Sequence, residues 1–485
     1  MKKNHLFFNG KLQKATSGKT FSNINPATNT IIDEIDIAST EDVERAVASA
    51  KKGFEIWSKT PAIERGRILK KAAQLLRNRN QEIAEIEVKD TGKPISEAVE
   101  VDVTTGADAL EYYGGIAPTI RGEHYDLGNS FAFTRREPLG ICAGIGAWNY
   151  PIQIACWKTA PALACGNSMI YKPAELTPSS ALILAEALKE AGLPDGVFNV
   201  LQGEEEVGKM LTGHKDIRKV SLTGEVSTGK KVMEASASSL KHVTLELGGK
   251  SPLIICKDAD IDQAVQGAMM ANFYTQGEIC SNGTRVFVEE SIKKEFIEKL
   301  IEKTQKLKIG DPMDMQTQIG ALISKEHYNK VMNYIEIGKK EAKLIIGGSP
   351  YNDKETKIKD GFFVTPTIFD VDNDEARIVK EEIFGPVMSI LTFKTNEEAL
   401  RRANSTEYGL AAGVFTKDLQ CAHHMANNLE AGMCWINNYN INPMEVPFGP
   451  YKQSGFGKEN GLATIDEYTQ LKTVYIEMEN IVSPY

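Results

Sequence analysis

The 485-residue chain is short of several features that define whole protein classes. No stretch approaches about 18 uninterrupted apolar residues, so none reads as a membrane span. Basic residues are outnumbered, 56 Lys and Arg against 65 Asp and Glu, and there is no basic tract. A net charge of -9 in that form argues against a nucleic-acid partner. The start, Met1-Lys2-Lys3-Asn4-His5-Leu6-Phe7-Phe8-Asn9-Gly10, carries two lysines but no sustained apolar stretch. No secretory leader is therefore expected, and the expected location is cytoplasmic. Cys142, Cys156, Cys165, Cys256, Cys280, Cys421 and Cys434 contain no C-x-x-C pair and have no histidine at zinc spacing. Without a leader, a disulfide framework is not expected either, and each cysteine defaults to a small buried hydrophobe.

What is present fits an ordinary globular chain. Apolar residues make up 42 %, too many for disorder, and the length predicts two or three domains. Helical periodicity marks Glu41–Trp57, where Val43, Ala46, Val47, Ala50 and Phe54 recur at threes and fours. Ala62–Val88 reads as one or two further helices after Pro61. From Leu139 onward, short apolar runs alternate with helices of about a dozen residues. The runs are Gly140–Trp148, Met169–Tyr171, Val197–Leu201 and Val220–Leu222, then Leu253–Cys256, Arg285–Val288, Phe362–Ile368, Met388–Phe393, Ala412–Phe415 and Cys434–Ile436. This alternation predicts an α/β fold with two Rossmann-like parallel-sheet domains meeting near Glu246–Ser251. The terminal segment Tyr468–Met478 alternates apolar and polar residues and reads as a strand that closes a local sheet or adds to a partner's edge.

Three places carry candidate chemistry. Cys280 stands in Gln276-Gly277-Glu278-Ile279-Cys280-Ser281-Asn282-Gly283, between an apolar helix and a strand. A thiol at such a junction can be held by backbone amides, which lowers its pKa and favours the nucleophilic thiolate, but from spacing alone a buried structural cysteine is the stronger reading. None of the seven histidines (5, 124, 214, 242, 327, 423, 424) sits in a Gly-rich turn, so a Cys–His pair has little support. Glu246 in Val243-Thr244-Leu245-Glu246-Leu247-Gly248-Gly249 is the better base, because apolar surroundings raise a carboxylate's pKa toward neutrality. A solvent-facing position on an alternating strand is the equal alternative. Thr223-Gly224-Glu225-Val226-Ser227-Thr228-Gly229 follows a strand and opens a helix, the setting in which free amides receive a pyrophosphate. Lys172 and Glu175, in Tyr171-Lys172-Pro173-Ala174-Glu175, could hydrogen-bond a ribose; the acidic residue tilts the choice toward NAD and away from NADP.

The chain resembles the aldehyde dehydrogenase superfamily over nearly its whole length. The resemblance rests on Ile24-Asn25-Pro26-Ala27-Thr28, Trp148-Asn149-Tyr150-Pro151, Lys172-Pro173-Ala174-Glu175, Leu222-Thr223-Gly224, Glu246-Leu247-Gly248-Gly249-Lys250, Gly277-Glu278-Ile279-Cys280, Glu381-Glu382-Ile383-Phe384-Gly385-Pro386 and Ser454-Gly455-Phe456-Gly457. It implies that Cys280 attacks an aldehyde carbonyl, and that Asn149 and the Cys280 amide stabilise the oxyanion. Hydride then leaves for NAD, and Glu246 activates the water that hydrolyses the thioester. It further implies cofactor contacts at Gly146, Ala147 and Trp148, at Lys172, Pro173, Ala174 and Glu175, and at Gly224, Glu225, Val226, Ser227 and Gly229. Glu382 and Phe384 would hold the nicotinamide end. Glu225 stands where many family members carry Ser. The implied domains are 5–119 with 139–247 for the cofactor, 248–453 for catalysis, and 120–138 with 467–485 as bridging strands of a homo-oligomer, a tetramer or a dimer. The last pieces would join a neighbour's sheet.

Within the superfamily the likeness is to betaine-aldehyde dehydrogenases and the related 4-trimethylaminobutyraldehyde dehydrogenases. Asp90-Thr91-Gly92-Lys93-Pro94, Thr134–Gly140, Gly144–Lys158 and Asn282–Val288 carry it. That group implies a proton relay through Lys158 and Glu459, and a potassium site near Asn23, Ile24, Asp90 and Leu176. A trimethylammonium cannot donate hydrogen bonds and is best held by aromatic faces. Tyr150 and Trp157 lie seven apart, on one face of a helix; by resemblance they converge with Tyr274 and Phe448 on the tunnel for a small cationic aldehyde. The expected reaction is oxidation of betaine aldehyde to glycine betaine. A longer ω-trimethylamino- or aminoaldehyde is the alternative. A non-catalytic descendant is disfavoured by the joint presence of Cys280, Glu246, Asn149 and Lys172.

Overall fold

The computed structural model describes residues 5–351 and 358–485; Met1–Asn4, the first part of the amino-terminal stretch considered above, lie outside the described residues. Five parallel strands form the core of the first sheet: β1 (Ile141–Ile145), β2 (Ser168–Lys172), β3 (Phe198–Val200), β4 (Ile217–Thr223) and β5 (His242–Glu246). Their order is β3-β2-β1-β4-β5. The chain therefore reverses its direction of growth between β1 and β4, the switch point at which a crevice opens at the carboxyl ends of the strands. Short antiparallel strands cap the edges, Leu6–Phe8 against β3 and Gly455–Phe456 against β5.

The second sheet repeats the plan with β6 (Pro252–Ile255), β7 (Arg285–Glu289), β8 (Thr367–Asp370), β9 (Val387–Phe393), β10 (Ala411–Phe415) and β11 (Met433–Ile436). Here the order is β8-β9-β7-β6-β10-β11, all parallel, with Lys343–Ile346 antiparallel outside β8. Apolar clusters cover both faces of each sheet, as the near-continuous apolar character of these strands requires. The α/β expectation is thus met. Among the described residues no helix is long and apolar enough to cross a membrane, and no disulfide forms among the seven cysteines.

Local chemistry explains the element boundaries. The helix Thr40–Trp57 starts at a capping box between Ser39 and Asp42 and buries Val43, Ala46, Val47, Ala50 and Trp57. The Ala62–Val88 stretch is two helices, Ala62–Asn78 and Asn80–Thr91, separated where Arg79 leaves helical geometry at φ −106, ψ 15. The strand expected over Phe362–Ile368 is largely absent: Val364 makes one isolated bridge to Pro350, Pro366 has no amide to donate, and the strand itself begins at Thr367. Of the two alternatives for the carboxy-terminal strand, the local sheet is the one formed. Thr469–Glu477 pairs along its whole length with Ser130–Pro138 of its own chain, and His124–Asp126 adds a third strand. The two segments expected in a neighbour's sheet therefore first satisfy each other.

Two helices position the site. α1 (Pro151–Ala164) leaves β1 with Pro151 at its first position and is buried almost throughout; α2 (Val226–Ala237) leaves β4.

Candidate active site

A cavity of about 330 Å³ opens between the two sheets. Its walls include Asn149, Tyr150, Trp157, Lys158, Glu246, Tyr274, Cys280, Phe448 and Glu459, all nine residues singled out above for catalysis or substrate binding. They come from separate parts of the chain. The β1–α1 turn supplies Asn149 and Tyr150, and α1 itself supplies Trp157 and Lys158. Glu246 is the last residue of β5. Helix α3 (Ile261–Phe273) delivers Tyr274 and the turn to Cys280. Phe448 and Glu459 are joined by a pair of backbone hydrogen bonds, each of 2.8 Å.

The turn before Cys280 is strained. Thr275 and Gln276 both adopt left-handed backbone conformations, at φ 49 and 41, where side-chained residues are disfavoured. Buried Glu97 holds this geometry: its carboxylate accepts from the Thr275 amide at 3.0 Å and from its hydroxyl at 2.9 Å. The Asn149 side-chain amide donates to the Glu278 carbonyl at 3.0 Å, which fixes it beside the cysteine turn. The Cys280 thiol is half-buried. The lowered pKa expected from its turn is not what the structure gives: burial, then the nearby Glu246 and Glu382 carboxylates, push the thiol up to about 12. Backbone donors act in the expected direction but are outweighed.

Glu246 is buried, and among the described residues neither carboxylate oxygen has a hydrogen-bond partner. Burial first, and Glu459 second, raise its pKa well above the ordinary carboxylate value. Lys158 Nζ donates to Glu459 Oε1 at 2.8 Å and to Ser221 Oγ at 2.9 Å, and Ser221 Oγ lies 3.1 Å from the same Glu459 oxygen. A closed set of proton-bearing groups thus borders the cavity.

The aromatic lining is less uniform than the sequence suggests. Trp157 and Phe448 meet edge to face with ring centres 6.1 Å apart. Tyr150 is different: its hydroxyl lies 2.7 Å from Thr275 Oγ1, and the Lys93 ammonium sits 3.7 Å from its ring centre. One face of this aromatic already carries a cation belonging to the protein.

The cofactor candidates gather along the carboxyl edge of the first sheet. Lys172 ends β2, its Nζ 3.0 Å from the Pro173 carbonyl and 3.4 Å from Glu175 Oε2; burial lowers its pKa. Gly146, just beyond β1, donates its amide to the Lys172 carbonyl at 2.9 Å, and a Cβ there would meet the Tyr171 hydroxyl at 2.1 Å. Ala147 and Trp148 continue that turn; Pro173 and Ala174 are buried beside Lys172. Glu225 precedes α2 without a side-chain capping bond, so the first-turn amides, those of Val226 and Ser227 among them, keep no intrahelical partner. Gly224 donates to the Glu246 carbonyl, tying this edge to the base, and Gly229 packs on Leu247. Glu382 Oε1 accepts from the Gly249 amide at 2.9 Å, and at Gly248 a Cβ would lie 2.0 Å from Glu382 Oε2. An open helix amino-terminus and a buried lysine at the carboxyl edge of the sheet are groups of the kind that can receive a pyrophosphate and a ribose.

Several contributing residues escaped sequence reasoning. Lys93 and Asp102 form a fully buried ion pair of 2.6 Å beside Glu97, and nothing in their spacing signals it. His327 lies far from any Gly-rich turn, yet its ring meets Trp148 and Phe384 edge to face. Near the potassium candidates, Asp90 accepts from Asn23 Nδ2 at 2.8 Å and from the Ser179 amide and hydroxyl at 3.1 Å each, while Asn23 Oδ1 is buried without a partner among the described residues. Leu176 is half-buried, and the Ile24 side chain is exposed.

This fold and this cysteine-centred cavity define an aldehyde dehydrogenase, and the Aldehyde dehydrogenase family model matches residues 12–474; the chain belongs to that family. It is 55 % identical over 481 residues to the betaine aldehyde dehydrogenase of Vibrio vulnificus (strain YJ016), covering 99 % of each chain. Among solved structures it is similar to PnpE from Pseudomonas sp. WBC-3, with TM-score 0.97 and 38 % identity, covering 100 % of this chain and 99 % of that one. It is also similar to an indole-3-acetaldehyde dehydrogenase complexed with NAD+, with TM-score 0.95 and 40 % identity over 98 % of this chain and 97 % of that one.

Proposed function

We propose that the protein oxidises betaine aldehyde to glycine betaine with NAD, through a covalent intermediate on Cys280. The observation that carries this reading is the convergence of Cys280, Glu246, Asn149 and an aromatic wall on one cavity, in a chain 55 % identical to a betaine aldehyde dehydrogenase. Cys280, once deprotonated, attacks the aldehyde carbon to form a thiohemiacetal. The Asn149 amide and the Cys280 backbone N–H receive the negative charge on oxygen. NAD held at the cofactor edge would supply the hydride acceptor, and loss of hydride from the thiohemiacetal carbon would leave a thioester on Cys280. Glu246 takes a proton from water, which attacks the thioester and releases the acid. Because its unpartnered carboxylate lies next to the Lys158–Ser221–Glu459 set, Glu246 can pass that proton away from the cavity. Lys172 and Glu175 are the groups for the adenosine ribose, the α2 amino-terminus for the pyrophosphate, and Glu382 with Phe384 for the nicotinamide end. Trp157, Tyr274 and Phe448 offer faces to the trimethylammonium, together with what Lys93 leaves free of Tyr150.

Three further features belong to this reading. Asn23 Oδ1, unpartnered beside the Asp90 carboxylate, fits oxygen ligation of a potassium ion with backbone carbonyls of Ile24 and Leu176. The free edge of the Thr469–Glu477 strand, with Leu471 and Tyr475 exposed, fits assembly into a dimer or tetramer. Residues 5–119 with 139–247 serve as the cofactor domain, 248–453 as the catalytic domain and the three-stranded sheet as the bridge, in a cytoplasmic enzyme.

The test is a kcat/KM panel over betaine aldehyde, 4-trimethylaminobutyraldehyde, 4-aminobutyraldehyde and propanal, each with NAD and NADP. Betaine aldehyde with NAD should lead. A higher value for the four-carbon cations would reassign the substrate, and a preference for propanal would remove the cation argument.

A further inference from the structure

Phe384 occupies a strained place in the chain. Its backbone is left-handed, φ +61, although it is neither glycine nor asparagine, and it follows Glu382 by two residues at the cofactor edge. Such a conformation persists only when its surroundings fix it. One polar contact does so from outside the loop: His327 Nε2 lies 2.6 Å from the Phe384 carbonyl oxygen. A carbonyl only accepts, so Nε2 carries the proton and donates it.

The His327 ring is held in turn. It sits near the start of the helix Lys325–Glu341, whose cap Ser324 accepts the His327 backbone amide at 3.1 Å. The ring centre lies 5.3 Å from that of Trp148 and 6.1 Å from that of Phe384; Trp148 and Phe384 also meet directly, at 5.1 Å. Glu278 Oε1, in the turn that leads to Cys280, lies 3.6 Å from the same Nε2. Three candidate regions therefore meet at one imidazole: the turn after β1, the loop after Glu382 and the approach to the nucleophile. Burial pushes the pKa of this histidine down to about 4, which keeps the ring neutral and the donor in place at physiological pH.

We propose that His327 is a positioning residue for hydride transfer: its Nε2–H fixes the Phe384 carbonyl, and with it the left-handed turn that presents Phe384 to the nicotinamide end of the cofactor. The proposal rests on the reading of Phe384 as a cofactor contact. His327 touches neither substrate nor reacting atoms in this role; it acts through Phe384 and Trp148.

The experiment compares H327L, which keeps the bulk and removes the donor, with H327Q, whose amide nitrogen reaches about as far as Nε2. Wild type and variants are assayed with betaine aldehyde, protiated and deuterated at the aldehyde carbon, and with NAD. H327L should lose about tenfold in kcat, with an increased deuterium isotope effect, while the KM for betaine aldehyde changes less than about twofold. H327Q should recover to within about threefold of wild type. Loss in H327L without a larger isotope effect, wild-type kcat in H327L, or failure of H327Q to recover despite an unchanged melting temperature would each overturn the proposal. F384A tests the underlying reading separately: an unchanged KM for NAD and an unchanged isotope effect in that variant would remove Phe384 from the cofactor site, whatever H327L shows.

Discussion

The Lys93 ammonium lies 3.7 Å from the centre of the Tyr150 ring while its Nζ donates to Asp102 at 2.6 Å, and both members of the ion pair are fully buried. A protein cation thus stacks on an aromatic that lines the cavity. Lys93→Met would leave Asp102 buried beside Glu87 without its cation, a loss of roughly 3–5 kcal/mol. Equilibrium denaturation measures it. The companion Tyr150→Phe variant keeps the ring and should hold the KM ratio of betaine aldehyde to propanal within about twofold, whereas Tyr150→Ala should raise it. An equal effect of Tyr150→Ala on both aldehydes would show that the substrate cation does not use this ring.

Cys280→Ala should abolish NADH formation, by roughly 10⁴-fold or more, as removal of a nucleophile does. The half-buried thiol lies on the cavity wall, where its loss leaves the packing of the two sheets in place, so the melting temperature should stay close to wild type. Retained turnover in a folded variant would place the nucleophile elsewhere.

Glu246→Gln should give a burst of NADH close to one equivalent per site and then stall, because the thioester forms but its hydrolysis lacks a base. The pH dependence follows from the raised carboxyl. Glu246 is protonated and inactive as a base at low pH, so steady-state turnover of the wild type should climb as pH rises and the group ionises. Lys158→Met should slow that steady state while leaving the burst amplitude intact. Stopped-flow absorbance of NADH separates the two phases.

Stability should carry its own pH signature. Burial pushes Glu97 and Glu278 each up to about 8, against about 4.3 in an unfolded chain. Between those values the folded protein holds protons that the unfolded chain has released. The stabilisation is therefore fully present below about pH 4.3 and is lost as pH rises towards 8. Glu97→Gln retains an acceptor for Thr275 and cannot ionise, so its melting temperature should gain on wild type between pH 5 and pH 9. Parallel curves for the two proteins would mean that Glu97 does not titrate in this range.

Local physics set much of what was legible beforehand. The helix at Thr40–Trp57 follows from apolar spacing and the Ser39 cap, and the parallel strands follow from short apolar runs alternating with helices. The misreadings have equally local causes. Pro366 ended a strand that its apolar neighbours suggested. At Cys280, the burial and the two carboxylates that raise the thiol come from β5 and from the loop at Glu382, which no window around the cysteine contains.

The sequence by itself determined the α/β class and the family resemblance, and through that resemblance nine of the residues that line the cavity, because motifs and periodicity are properties of neighbouring positions. Only the tertiary structure decided that Lys93 covers a face of Tyr150, that Thr469–Glu477 pairs first with Ser130–Pro138, and that His327 reaches Phe384. These contacts join residues 57 to more than 300 positions apart, and burial and field at each depend on distances that chain order does not encode.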